Sequence, residues 1–123
     1  MDFLKELKWR GLIQYVTNGF DDEGKKNSVT AYIGFDPTSD SLHIGSLVQL
    51  IILKHFQLCG HKPIVLVGGA TGMIGDPSGK SKERNLLNAG IIDKNISSIK
   101  NQLSKFLDFD KNKSNAAIIL NNL

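Results

Sequence analysis

Apolar residues recur along this chain with two different periods. Near the N-terminus, Leu4, Leu7, Ile13 and Val16 alternate with Lys5, Glu6, Lys8 and Arg10, which predicts an amphipathic helix over residues 2–18. Residues 19–27 are polar and glycine-containing and read as a surface loop. Val29 to Gly34 reads as a short strand. From Ile44 to Leu58 the spacing turns helical again, with Leu47, Leu50, Ile51, Leu53 and the stem of Lys54 facing inward and Gly60 placed to end the helix. Lys62 to Val67 is almost continuously apolar, as expected of a strand covered on both faces. A long glycine-rich loop occupies residues 68–82. A helix is predicted over residues 96–107, capped by Asn95 or Ser97, and a third strand over Ala116 to Leu120. Strand, helix and strand in this order predict a right-handed βαβ unit, hence an α/β fold with a parallel sheet. No internal repeat or low-complexity segment interrupts the pattern.

Composition narrows the class without choosing within it. A length of 123 residues suits one domain. Hydrophobic content of 41% and charged content of 22% are those of a soluble globular protein. No apolar run approaches the roughly 20 residues that span a bilayer. Asp2, Lys5, Glu6, Lys8 and Arg10 interrupt what would be the apolar core of a secretory signal, so a cytoplasmic location and no membrane partner are expected. The lone Cys59 has no partner for an internal disulfide and reads as a small buried residue. A net charge of +3 is compatible with a nucleic-acid partner but does not argue for one. Basic residues cluster at Lys80, Lys82 and Arg84, and again at Lys111 and Lys113, where a solvated loop is the simpler reading.

The chemistry-bearing stretch is Tyr32 to Ser46. It joins the first strand to the second helix and collects small residues, hydroxyls, Asp36, Asp40 and His43. Gly34 and Asp36-Pro37 supply turn chemistry. His43-Ile44-Gly45-Ser46 falls on the first helical turn, where unpaired backbone N–H groups and the helix dipole favour an anion. Gly45, lacking a side chain, would let a ligand approach the backbone. The stretch reads as a phosphate- or nucleotide-binding strand–loop–helix.

These residues carry a family resemblance. His43-Ile44-Gly45-Ser46 resembles the His-x-Gly-His motif of class I aminoacyl-tRNA synthetases. Gly34-Phe35-Asp36-Pro37-Thr38 and Asp40-Ser41-Leu42-His43 look like the tyrosyl-tRNA synthetase family in particular. The likeness continues through residues 56–61, 67–80, Glu83 and Arg84, is weaker at residues 106–109 and 121–122, and includes residues 1–12. It implies the first half of a Rossmann-like doubly wound catalytic domain over residues 29–123, preceded by an N-terminal helix and loop over residues 1–28. The family's Lys-Met-Ser-Lys-Ser loop, its Tyr-x-x-x-Gln-x-x-Asp segment and its tRNA-binding domains have no counterpart here. The chain therefore looks like about the first third of a longer enzyme that is a homodimer in the family.

The resemblance also implies roles. The reaction would join L-tyrosine to ATP and pass the tyrosyl group to tRNA(Tyr). Mg2+ would accompany ATP as counter-ion, with no prosthetic group and no metal ligands on the protein. Thr38 and His43 would contact the terminal phosphate, and Lys80 and Arg84 would close on pyrophosphate from a mobile loop. Gly34, Asp36, Gly45 and Ser46 would complete the ATP site. Tyr32 would meet the substrate phenol, and Asp76 its ammonium group. Ser46 departs from the motif, since most relatives carry a second histidine there; its shorter hydroxyl would reach the ribose through a water. Ser81, Ile33 and Gln49 are lesser departures. Taken without the motif, Tyr32 would be strand core, Asp76 a plain turn residue, and His43 a cap or surface residue. His55 and His61 read as structural or solvated.

Three other readings compete. Gly69, Gly72 and Gly75 follow a strand in Gly-x-x-Gly-x-x-Gly spacing, with Asp93 about 20 residues on, as in a dinucleotide-binding dehydrogenase. However, Asp76-Pro77-Ser78-Gly79 would break the helix that should follow. A P-loop reading of the same region fails by one position, because Ile74 stands where its first glycine should be. A non-enzymatic nucleotide-binding module has only the short length in its favour.

Overall fold

The computed structural model describes residues 2–20, 27–36, 41–68 and 89–122. Helix α1 spans Phe3–Trp9. Asp2 caps it, its carboxylate accepting the Lys5 backbone N–H at 3.2 Å. The helix stops well short of residue 18. Gly11 adopts φ +68, a conformation that L side chains rarely enter. Around it, the Gly11 N–H bonds the Lys8 carbonyl at 3.1 Å and the Leu12 N–H bonds the Leu7 carbonyl at 2.9 Å, the paired bonds of a glycine helix stop. Ile13 and Val16 are half-buried in an irregular segment instead. With Phe3, Phe20, Ile33 and Phe56 they line an apolar cavity of about 520 Å³. Their helical spacing reflected shared burial, not a shared helix.

Three strands, β1 (Thr30–Phe35), β2 (Lys62–Val67) and β3 (Ile118–Asn121), form a parallel sheet in the order β1-β2-β3. Tyr32 pairs with Ile64, which pairs with Ile118, and Gly34 pairs with Leu66, which pairs with Leu120. β3 starts later than the apolar run suggests. Ala116 and Ala117 are buried, but the Ala117 N–H is engaged by the Asp108 carbonyl at 2.8 Å and is therefore not in the sheet.

A 3-10 turn at Ile44–Ser46 leads into helix α2 (Leu47–Leu58). After it, Gly60 takes φ +88, as its predicted stop position requires. Helix α3 runs over Ala89–Leu103, earlier than predicted at both ends. Ile92, Asn95, Ile99 and Leu103 are buried at steps of three and four, so Asn95 sits inside the buried stripe and does not cap the helix.

Both helices cover the same side of the sheet. Phe35, Val65 and Val67 pack with Leu50 and Leu53 of α2 and with Ile99 and Leu103 of α3 into one core. The opposite side carries Tyr32, Gly34, Ile64, Leu66 and Leu120. Among the described residues nothing covers it fully, and Tyr32 is 67% exposed. The two-sided burial expected of β2 is therefore one-sided here: Val65 and Val67 are fully buried, Ile64 and Leu66 only partly. At the other end of α2, the buried Gln57 side chain donates to the carbonyls of Asp108 and Asn115 and accepts the Asp108 N–H. It locks the α3–β3 connection to α2.

Candidate functional site

The carboxyl ends of the three strands lie in a row. The Gly68 N–H bonds the Phe35 carbonyl at 2.9 Å and the Asn122 N–H bonds the Val67 carbonyl at 3.2 Å, so the register persists past the last strand residues. In open parallel sheets this is the edge where ligands bind. β1 delivers Asp36 to it, exposed, and the chain then returns through the turn that starts α2.

That turn is built in three steps. Leu42 packs against the core, and its backbone N–H is accepted by the Gln102 side-chain oxygen at 2.8 Å. His43 follows in extended conformation, and its Nδ1 accepts the Gly45 N–H at 3.0 Å. With Nδ1 an acceptor, the neutral ring carries its proton on Nε2, free to donate outward. With the His43 ring in this position Gly45 has to be glycine: a Cβ there would stand 2.8 and 2.9 Å from the ring atoms Cε1 and Nδ1. The group that crowds Gly45 is thus the chain's own imidazole, where the residues alone suggested a ligand. Ile44 is 82% exposed beside it, whereas Ser46 is only 8% exposed.

Gly34 is glycine for a different reason. Its backbone is not left-handed, and a Cβ would meet no protein atom within 4 Å. Neither conformation nor packing requires glycine there, and the position opens onto the uncovered side of the sheet. Tyr32 shares that side, so it is not a core strand residue.

Thr38, Asp76, Lys80 and Arg84 lie outside the described residues, as does the glycine-rich loop from Gly69 onward. Structure brings together Tyr32 and Gly34 on β1 with Asp36 just past its end, and His43, Gly45 and Ser46 on the turn. Gln102 is the participant that sequence reasoning missed. It lies 60 residues from Leu42, and nothing in its local pattern marks it.

The remaining candidates are structural. His61 is buried, accepts the Val29 N–H on Nδ1 at 3.2 Å and stacks on Phe56 with ring centroids 4.7 Å apart. His55 Nδ1 is buried with no hydrogen-bond partner among the described residues. Cys59 is half-buried and free, and burial pushes its thiol up. Lys113 pairs with Asp108 on the surface, and that bond holds the Asp108 carboxyl below its ordinary value. Among the described residues no group of three or more His, Cys, Asp or Glu could hold a metal ion. No described helix is long and apolar enough to cross a membrane.

Comparison with known proteins was made against this geometry. The sequence model of the family described as tRNA synthetases class I (W and Y) matches residues 24–123. The tyrosine--tRNA ligase of Flavobacterium psychrophilum is 59% identical over 121 residues, which cover 98% of this chain and 28% of the relative. That of Bacteroides thetaiotaomicron is 57% identical over 122 residues, 99% of this chain and 28% of the relative. Among solved structures, the C-terminally truncated mitochondrial tyrosyl-tRNA synthetase of Coccidioides posadasii superimposes with a TM-score of 0.68 at 30% identity, over 99% of this chain and 35% of that one. The chain thus spans little more than a quarter of the length of these curated relatives.

Proposed function

Because the chain belongs to the class I tRNA synthetase family of the W and Y type, a family of tRNA aminoacylation, we propose that it is the N-terminal part of the catalytic domain of an enzyme that activates L-tyrosine with ATP and transfers it to tRNA(Tyr). The observation that carries the reading is the pair Tyr32 and Gly34 on the open side of β1. One offers an exposed phenol, and the other leaves a space that no protein atom uses. The names of the relatives supply the amino acid.

In the proposed reaction the tyrosine carboxylate attacks the α-phosphorus of ATP. The bond from that phosphorus to the bridging oxygen breaks, and pyrophosphate leaves with the electron pair. Catalysis of this kind is mainly positioning and stabilisation of charge on phosphate oxygens. His43 Nε2–H, oriented by the Gly45 bond, is the donor assigned to the terminal phosphate, a role assigned to Thr38 as well. Lys80 and Arg84 are assigned to pyrophosphate. Gly34, Asp36, Gly45 and Ser46 form the rest of the ATP site, and Tyr32 and Asp76 hold the phenol and ammonium of tyrosine. Ser46 is buried, so its part in the ribose contact runs through a water or through the shape of the turn. Mg2+ enters as the counter-ion of ATP. The Lys-Met-Ser-Lys-Ser loop and the tRNA contacts are assigned to segments beyond these residues, and the full-length protein is assigned as a cytoplasmic homodimer.

The family match through the glycine-rich segment removes the grounds for a dehydrogenase. The test is ATP–pyrophosphate exchange by the full-length gene product with each amino acid in turn. Exchange is expected with tyrosine and not with tryptophan or phenylalanine. A protein that exchanges with tryptophan, or with none, would sink the reading.

A further inference from the structure

We propose that Gln102 is a positioning residue for His43, and through it for adenylation; the inference rests on the synthetase reading above. The Leu42 N–H is partly buried and is bonded by the Gln102 side-chain oxygen at 2.8 Å, from the last turn of α3. The Leu42 side chain is seated against the core at the same time. Leu42 is thereby held at two points, one on the backbone and one on the side chain. These two contacts fix the residue from which the chain enters the 3-10 turn, where His43 Nδ1 accepts the Gly45 N–H.

Gln102 also shares a wall with the residues it would position. Together with Leu42, His43, Ser46, Leu50 and Phe106 it lines a cavity of about 220 Å³ behind the turn. Movement of α3 against the turn therefore reaches both His43 and Ser46. The amide needs no contact with a substrate and moves no proton. Its contribution is to fix where the His43 donor stands, and misplacement of a catalytic group by about 1 Å costs up to about a hundredfold in rate. The neighbouring alternative, that Gln102 merely stabilises the fold, predicts a different pattern of variants.

Gln102→Met in the full-length enzyme keeps length and bulk but removes the acceptor. Tyrosine-dependent pyrophosphate exchange should lose about tenfold in kcat, with the KM for tyrosine within about twofold of wild type. Gln102→Glu restores an acceptor oxygen; kcat should return to within about twofold, and the KM for ATP should rise because a carboxylate now shares the cavity with His43 and Ser46. Protection of the Leu42 amide against hydrogen exchange should fall in Gln102→Met and recover in Gln102→Glu. In a His43→Ala background, itself slowed by loss of the phosphate donor, Gln102→Met should cost less than about twofold, because the group it positions is gone. Losses that multiply in the double variant, an unchanged kcat in Gln102→Met, or unchanged Leu42 protection would each overturn the proposal while leaving the synthetase reading intact. A wild-type enzyme without tyrosine-dependent exchange would overturn both.

Discussion

The three histidines of this chain are chemically alike and stand in three different environments. His43 is exposed and folded onto Gly45, and His55 buries an Nδ1 that has no partner among the described residues. His61, 7% exposed, has its Nδ1 occupied by the Val29 N–H. Burial pushes the His61 imidazole below its ordinary value of 6.5, because removing it from water disfavours the cation. The unfolded chain then takes up a proton near pH 6.5 that the folded chain refuses until lower pH. His61's contribution to stability is complete above that value and is lost as pH falls through it towards the folded one. The urea midpoint of the full-length protein is therefore expected to drop on acidification from about pH 7 to about pH 5. His61→Leu should be less stable at pH 7, since the Val29 N–H loses its acceptor, yet lose less on acidification. Parallel pH profiles for the two proteins would show that another group is responsible.

Elements in this fold are bounded by backbone geometry more than by apolar period. Gly11 ends α1 at φ +68 with open space around its Cα, so the whole cost of a side chain there is conformational. Gly11→Ala should lower stability by about 1–2 kcal/mol. Gly34→Ala should behave in the opposite way. With no left-handed backbone and no clash, it should leave stability unchanged or raise it slightly, because glycine weakens a strand interior. The same methyl enters the space assigned to substrate, so tyrosine-dependent exchange should fall sharply. Denaturant midpoints and exchange rates measured on both variants would separate a glycine kept for the backbone from one kept for a ligand. Equal destabilisation by the two substitutions would contradict this division. The boundaries of α3 teach a related lesson. Its buried stripe begins at Ile92, and Asn95 lies within it, so polarity at one position hid a helix that the surrounding isoleucines continue.

At the scale of the molecule, helices α2 and α3 lie on one side of a three-stranded sheet, and apolar residues remain in the open. Tyr32 is 67%, Ile44 82%, Val48 50% and Leu120 46% exposed. Among the described residues β1 is also an edge strand of the sheet, and sheet edges invite association. Residues 1–123 expressed alone are expected to self-associate or pack loosely, and to show no tyrosine-dependent exchange. Size-exclusion chromatography, near-UV circular dichroism and the exchange assay decide this. A monomeric, cooperatively folding product with measurable exchange would refute it.

The strand–turn–helix from Tyr32 to Ser46, the span of β2 and the stop at Gly60 were all legible in the sequence. Each depends on neighbours in the chain: an apolar run, a turn residue or a glycine at a helix end. The candidate site residues were named for the same reason, since a motif is local. Three things were not. Ile13 and Val16 have helical spacing but cover an apolar cavity from an irregular segment, because burial rewards position and not period. Gly45 is small to admit the His43 ring, which only a folded turn can reveal. Gln102 reaches Leu42 across 60 residues. A side-chain amide has no preferred sequence context, so its partner is chosen only when α3 packs against the sheet and brings the two together.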